Sequence, residues 1–111
     1  MKLTEAEFQA LKACLNYDDR ESQLEDNFSN GGPTEFAQVL GWDLHQVGGL
    51  ITSMKNKGLG DLDDRSDEML RDDNGRLYPE GKVPVELHIF WLSKAGVNAV
   101  FDEIEARSMT V

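Results

Sequence analysis

Apolar residues recur along this chain at spacings that separate helical stretches from extended ones. Phe8, Leu11 and Leu15, with Ala10 and Cys14 beside them, fall at three- and four-residue intervals and describe one face of a helix. Thr4-Glu5-Ala6-Glu7 ahead of them is a capping box, and Leu3 and Phe8 are placed as a hydrophobic staple. The helix is predicted to run to about Tyr17. From Asp18 to Gly32 the chain is polar and acidic; Leu24 and Phe28 could anchor one further turn, but Asn30-Gly31-Gly32-Pro33 is a strong breaker. That segment reads as a connector.

Pro33 suits the first turn of a helix, Phe36, Ala37 and Leu40 supply its buried face, and Gly41 ends it. Asp43 can cap the next helix with Gln46 three residues on, Leu44, Val47, Leu50, Ile51 and Met54 mark its inner face, and Gly58 closes it. Two short helices joined by a tight turn make residues 33–58 a helix-turn-helix. A brief strand is expected over Leu59 to Asp64 and a second over Val85 to Leu92, with Val85, Leu87, Ile89 and Trp91 toward the core. His88, Phe90 and Leu92 then take the opposite face, where a terminal helix or a second subunit would cover Phe90 and Leu92. Asn74-Gly75 and Pro79-Glu80-Gly81-Lys82 mark turns in the long segment between the strands. A last helix is predicted over about 94–107, striped by Val97, Val100, Phe101 and Ile104. The fold class is therefore α+β, with three to four helices and a small antiparallel sheet.

Composition places this pattern in one folded, soluble domain spanning 1–111, since 111 residues do not divide into two independent cores. No apolar run approaches the length of a membrane span and the N-terminus lacks a signal peptide, so a cytoplasmic location is expected and no membrane partner. Cys14 is the single cysteine, which excludes an intrachain disulfide and reads as a small core residue. Neither a cofactor nor a metal site is expected. The net charge of −10 is unevenly spread: residues 1–30 carry −4, residues 31–60 are neutral, and residues 61–111 carry −6. A general DNA binder gains affinity by neutralising phosphates, so such a chain must concentrate its basic character on one face, and the neutral middle is where to look.

The order of elements resembles the winged helix-turn-helix regulators, and most closely the MarR-like group. The likeness is carried by Phe36-Ala37-x-x-Leu40-Gly41, Val47, Leu50-Ile51, Met54 and Lys57-Gly58-Leu59, and by Leu92-Ser93-Lys94-Ala95-Gly96, which is similar to the Leu-Thr-x-x-Gly opening that family's final helix. The resemblance implies a transcriptional regulator whose second helix enters the major groove of double-stranded DNA, with His45, Gln46, Gly49, Thr52, Ser53, Lys55 and Asn56 as readers. It also implies a homodimer and a wing over about 59–92. Here the wing departs from the family: seven carboxylates between Asp61 and Asp73 face only Arg65 and Arg71. Gly48-Gly49 inside the reading helix suggests a backbone approached closely by DNA or by a neighbouring element.

Catalysis is not expected, because the carboxylate pairs Asp18-Asp19 and Asp63-Asp64 lie in polar segments and no Ser-His or Cys-His constellation is spaced for a nucleophile. Asp61, Asp63 and Asp67 have an EF-hand look, but Arg65 stands where an oxygen ligand is required, and the loop reads as a solvated acidic one. The alternative to DNA binding is a protein-interaction module, or a DNA-mimic inhibitor, engaging a protein partner through Asp61, Asp63, Asp64, Asp67 and Glu68. Trp42 and Trp91 read as core or core-edge aromatics.

Overall fold

Helix α1 spans Glu5–Cys14 and begins as its residues dictate: Thr4 accepts from the Glu7 N–H, Glu7 accepts from the Thr4 N–H, and Leu3 and Phe8 are both buried around this cap. It ends a turn short of the expected Tyr17, because Leu15 turns extended. The structure, a computed structural model, describes residues 2–109.

The connector contains a helix of its own, α2, spanning Arg20–Glu25 and capped by Asp19, so among the described residues the α-helices number five rather than three to four. Gln23 is what holds it. Its side chain is fully buried, its oxygen accepts from the Asn16 and Tyr17 N–H groups, and its nitrogen donates to Asn27 Oδ1 and to the Phe28 carbonyl. Arg20 ties the same helix to the C-terminal one by reaching Asn98, Asp102 and Glu105.

Helix α3, Pro33–Leu40, and helix α4, Leu44–Asn56, follow with the expected boundaries and are joined by Gly41, Trp42 and Asp43. Gly41 takes the left-handed conformation, φ 67°, that a side chain would strain. At the end of α4 Gly58 does the same, and the Leu59 N–H returns to the Met54 carbonyl at 3.0 Å, closing a Schellman motif.

Strands β1, Gly60–Asp63, and β2, Ile89–Leu92, pair antiparallel, with Gly60 opposite Leu92 and Leu62 opposite Phe90. This register inverts the face expected for β2. Phe90 and Leu92 are buried in the core, Phe90 making an edge contact with Phe36 at 5.8 Å, so no second subunit is needed to cover them. Ile89 and Trp91 point outward, where Trp91 donates to Asp63 and meets the Phe28 ring. Trp42, as expected, lies at the core edge. The expected strand is also half its length, because Val85–Leu87 form a 3-10 turn instead.

Between the strands, residues 64–82 contain no buried position. Within them Arg71 bridges Leu77 across the Asn74-Gly75 turn, and the Lys82 N–H closes on the Pro79 carbonyl, so both sequence-marked turns form. The molecule measures 51 × 30 × 22 Å and its radius of gyration, 14.8 Å, exceeds the roughly 13 Å of a compact chain of this length. Helix α5, Lys94–Ser108, opens under a Ser93 cap and buries Gly96, Val97, Val100 and Phe101. A Cβ on Gly96 would stand 1.9 Å from the Leu59 carbonyl oxygen, so the glycine is what lets α5 cross the start of β1.

Candidate nucleic-acid interface

Helix α4 is set by its buried face. Val47, Leu50, Ile51 and Met54 pack into the core against α3 and β1, so the helix must turn its remaining positions outward. His45, Gln46, Gly49, Thr52, Lys55 and Asn56 are all exposed. Ser53 is the exception among the expected readers: it is half-buried and donates to Glu7 on α1, which removes it from the outer face.

Two of the outer residues are partly committed within the helix. Gln46 completes the N-terminal capping box with Asp43, its Oε1 accepting from the Asp43 N–H at 3.1 Å, so its amide NH₂ is what it can offer a ligand. Thr52 donates back to the Gly48 carbonyl at 3.1 Å, which turns its methyl and the oxygen lone pairs outward. At Gly48 and Gly49 an added Cβ would meet nothing within 4 Å. The neighbouring element considered as a reason for this glycine pair is therefore not part of the described chain.

The lysines ending α4 differ in kind. Lys57 donates to Glu7 at 2.7 Å, and Glu7 is only 1% exposed, so this charge is locked into the junction of α1 and α4. Lys55 faces Asp61 at 3.3 Å, but both partners are open to solvent, 49% and 77% exposed. A pair of that kind is worth under about 1 kcal/mol and opens at little cost.

The acidic loop after β1 is partly neutralised from within. Arg65, whose backbone is left-handed at φ 61°, donates to Glu68 at 2.8 Å and to the Leu87 carbonyl at 3.3 Å. Asp63 accepts from the Arg65 N–H and from Trp91, and is half-buried. Asp64 accepts from the Ser66 N–H, and that hydrogen bond holds its carboxyl below the usual range. Carboxylate oxygens of Asp63, Asp67 and Glu68 lie within 4.8 Å of one another, an arrangement the Arg65–Glu68 pair accommodates. Asp61, Asp64, Asp67 and Glu68 remain exposed.

The turn at the hairpin tip was expected, but not the basic pair that flanks it. Asp72 turns its carboxylate inward to accept from the Asn74 and Arg76 N–H groups, while Arg71 and Arg76 stand exposed on the two arms. The signal was there in the arginines flanking Asp72-Asp73-Asn74-Gly75, but counting charge only as far as Asp73 hid it. His88, expected opposite the core-facing strand residues, lies just before β2 and is half-buried; it contacts the Val83 carbonyl through Nε2 at 2.9 Å, and its Nδ1 is buried with no partner. Among the described residues no helix is long and apolar enough to cross a membrane. Compared with known proteins, the chain matches no family model, no curated protein and no solved structure.

Proposed function

We propose that this α+β chain is a winged-helix DNA-binding protein acting as a transcriptional regulator, with α4 as its reading helix and residues 64–84 as its wing. The observation that carries this reading is the outer face of α4: His45, Gln46, Gly49, Thr52 and Asn56 are exposed, and a Cβ added at Gly48 or Gly49 would meet nothing within 4 Å. Amide, hydroxyl, methyl and imidazole groups are the partners that base edges in the major groove require, and two adjacent glycines let a duplex come closer than side chains would. The cationic contribution comes from Lys55, released from Asp61, and from Arg71 and Arg76 at the hairpin tip.

Few phosphate contacts are available to so acidic a chain, so discrimination rests on base contacts and the salt dependence is shallow. The test is enrichment of sequences from a random duplex library at low salt, followed by Thr52→Ala, Asn56→Ala and Lys55→Ala. A preferred sequence should emerge, and the first two variants should relax its preference while leaving thermal stability unchanged. Absence of any enriched sequence would overturn the reading.

A second reading is favoured by the exposure of Asp61, Asp64, Asp67 and Glu68 beside the same helix. The surface then engages a protein instead of DNA, a DNA-mimic inhibitor being its special case. Reversing the charge of Asp61, Asp64 and Asp67 would abolish such a complex and leave duplex binding intact or stronger.

A further inference from the structure

A groove of about 350 Å³ runs between α4 and the strand side of the molecule. Leu44, Gly48 and Ile51 form one wall and Leu62 and Val85 the other, with Lys55 at one end. Its walls are aliphatic but for Thr52 and the His88 imidazole, and its lips are open: Leu44 is 50% exposed and Val85 41%, although each is a residue that burial would stabilise. Gly48 leaves the floor beside α4 bare, since an added Cβ there would meet nothing. The groove is distinct from the outer polar face, which lies around the helix at His45, Gly49 and Asn56, but the two share Gly48, Thr52 and Lys55.

The charge around the groove identifies what fits it. Asp43 precedes Leu44, Asp61 precedes Leu62 and Glu86 follows Val85, and all three are exposed. The one lysine in the lining, Lys55, is already faced by Asp61 at 3.3 Å. An occupant must therefore bring apolar side chains for the walls and positive charge for the lips. Apolar anchors on one face of a helix with cations on the flanks meet both demands, and the bare backbone at Gly48 leaves such a helix space to approach.

We propose that the groove between α4 and the Leu62–Val85 wall receives a basic amphipathic helix of a partner protein. Because Thr52 and Lys55 belong to both surfaces, the docked helix excludes a duplex from α4, which makes the partner an antagonist of duplex binding. The docking itself does not depend on the chain binding DNA.

The probe is a leucine–lysine peptide of about 14 residues with leucines at i, i+3, i+4 and i+7, and its control is the same peptide with glutamate for every lysine. Titrated into the isotope-labelled full chain, the lysine peptide should shift the backbone amides of residues 44–55, Leu62 and Val85, and the glutamate peptide should not. The Leu44→Ser, Val85→Ser double variant should bind about tenfold more weakly with its remaining amide spectrum unchanged, because both side chains are half out of the core already. Glu21→Gln with Glu25→Gln, which lowers the charge on α2, a helix that contributes nothing to the groove lining, should change affinity little. Shifts centred on residues 63–68, or an affinity indifferent to the groove variants, would overturn the proposal. So would concentration-dependent shifts of the same amides without peptide, which would assign the groove to a second copy of the chain. No DNA enters this experiment, so its failure would leave the duplex reading standing.

Discussion

Lys57 Nζ lies 2.7 Å from Glu7 Oε1, and through this contact the residue that caps the first helix also anchors the end of α4. Glu7 accepts from the Thr4 N–H, from Lys57 and from Ser53, so a buried carboxylate has a donor for each part of its charge. The angle at which α4 crosses α1 is thereby held by an ionic contact.

The pair makes stability depend on acid. Burial alone would raise the Glu7 carboxyl, but the hydrogen bonds from Lys57 and Thr4 outweigh it and hold it below the ordinary 4.5. A folded carboxyl that binds its proton more weakly than the unfolded one contributes fully above the ordinary range, and loses that contribution as pH falls through the lowered value. Glu7→Gln should destabilise by about 2 kcal/mol near pH 7, and the gap to wild type in urea unfolding should narrow toward pH 3. A gap that stays constant would refute the linkage.

Glycines of opposite role should respond oppositely. Gly48→Ala and Gly49→Ala, each with open space for a methyl, should raise stability by about 0.5–1 kcal/mol through helix propensity. On the DNA reading both should also weaken duplex binding, since the methyl occupies the approach. Gly96→Ala places a carbon 1.9 Å from the Leu59 oxygen and should destabilise by more than 2 kcal/mol, read as a lowered melting temperature.

Removing the buried amide of Gln23 strands several polar groups at once. Gln23→Leu leaves the Asn16 and Tyr17 N–H groups and the Phe28 carbonyl without their partner, and should destabilise by about 3 kcal/mol. Chemical denaturation measures it, and a near-neutral variant would show that water takes over the site.

Arg71→Gln and Arg76→Gln address the hairpin tip. On the DNA reading, each should lower the slope of log affinity against log salt by about one, without changing which sequence is preferred. A changed preference would place these arginines on base edges.

Cys14 reports on opening. Burial pushes its thiol up to about 12, against a hydrogen bond with Ser29 that lowers it, and the side chain is inaccessible in the core. Its reaction with an aromatic disulfide at about pH 8 should therefore follow the unfolding rate and accelerate in step with destabilising variants. Reaction as fast as that of a free thiol would show a local opening near α1.

Elements whose signals are local were legible before any coordinates. The Thr4 and Asp43 caps, the Gly41 and Gly58 stops, the Asn74-Gly75 turn and the α5 stripe each depend on a few consecutive residues, and each forms where expected. Most of the candidate reading face followed from the α4 periodicity alone, because burying Val47, Leu50, Ile51 and Met54 leaves the outer positions no alternative. Helix α2 was illegible for the opposite reason: its core anchor is a glutamine, whose burial is permitted only by four hydrogen bonds, two accepted and two donated, with residues up to seven positions away.

Local chemistry, then, determined the α+β order of elements and the helical face turned outward, since capping groups and 3.6-residue spacing act within a turn or two. Contacts between distant residues decided the rest. Residues 89–92 are apolar on both faces, so alternation could not choose between them, and Phe36 against Phe90 chose. The fate of the two lysines was likewise set at a distance: Lys57 is locked because Glu7 is buried fifty residues earlier, while Lys55 meets Asp61 in water and stays available.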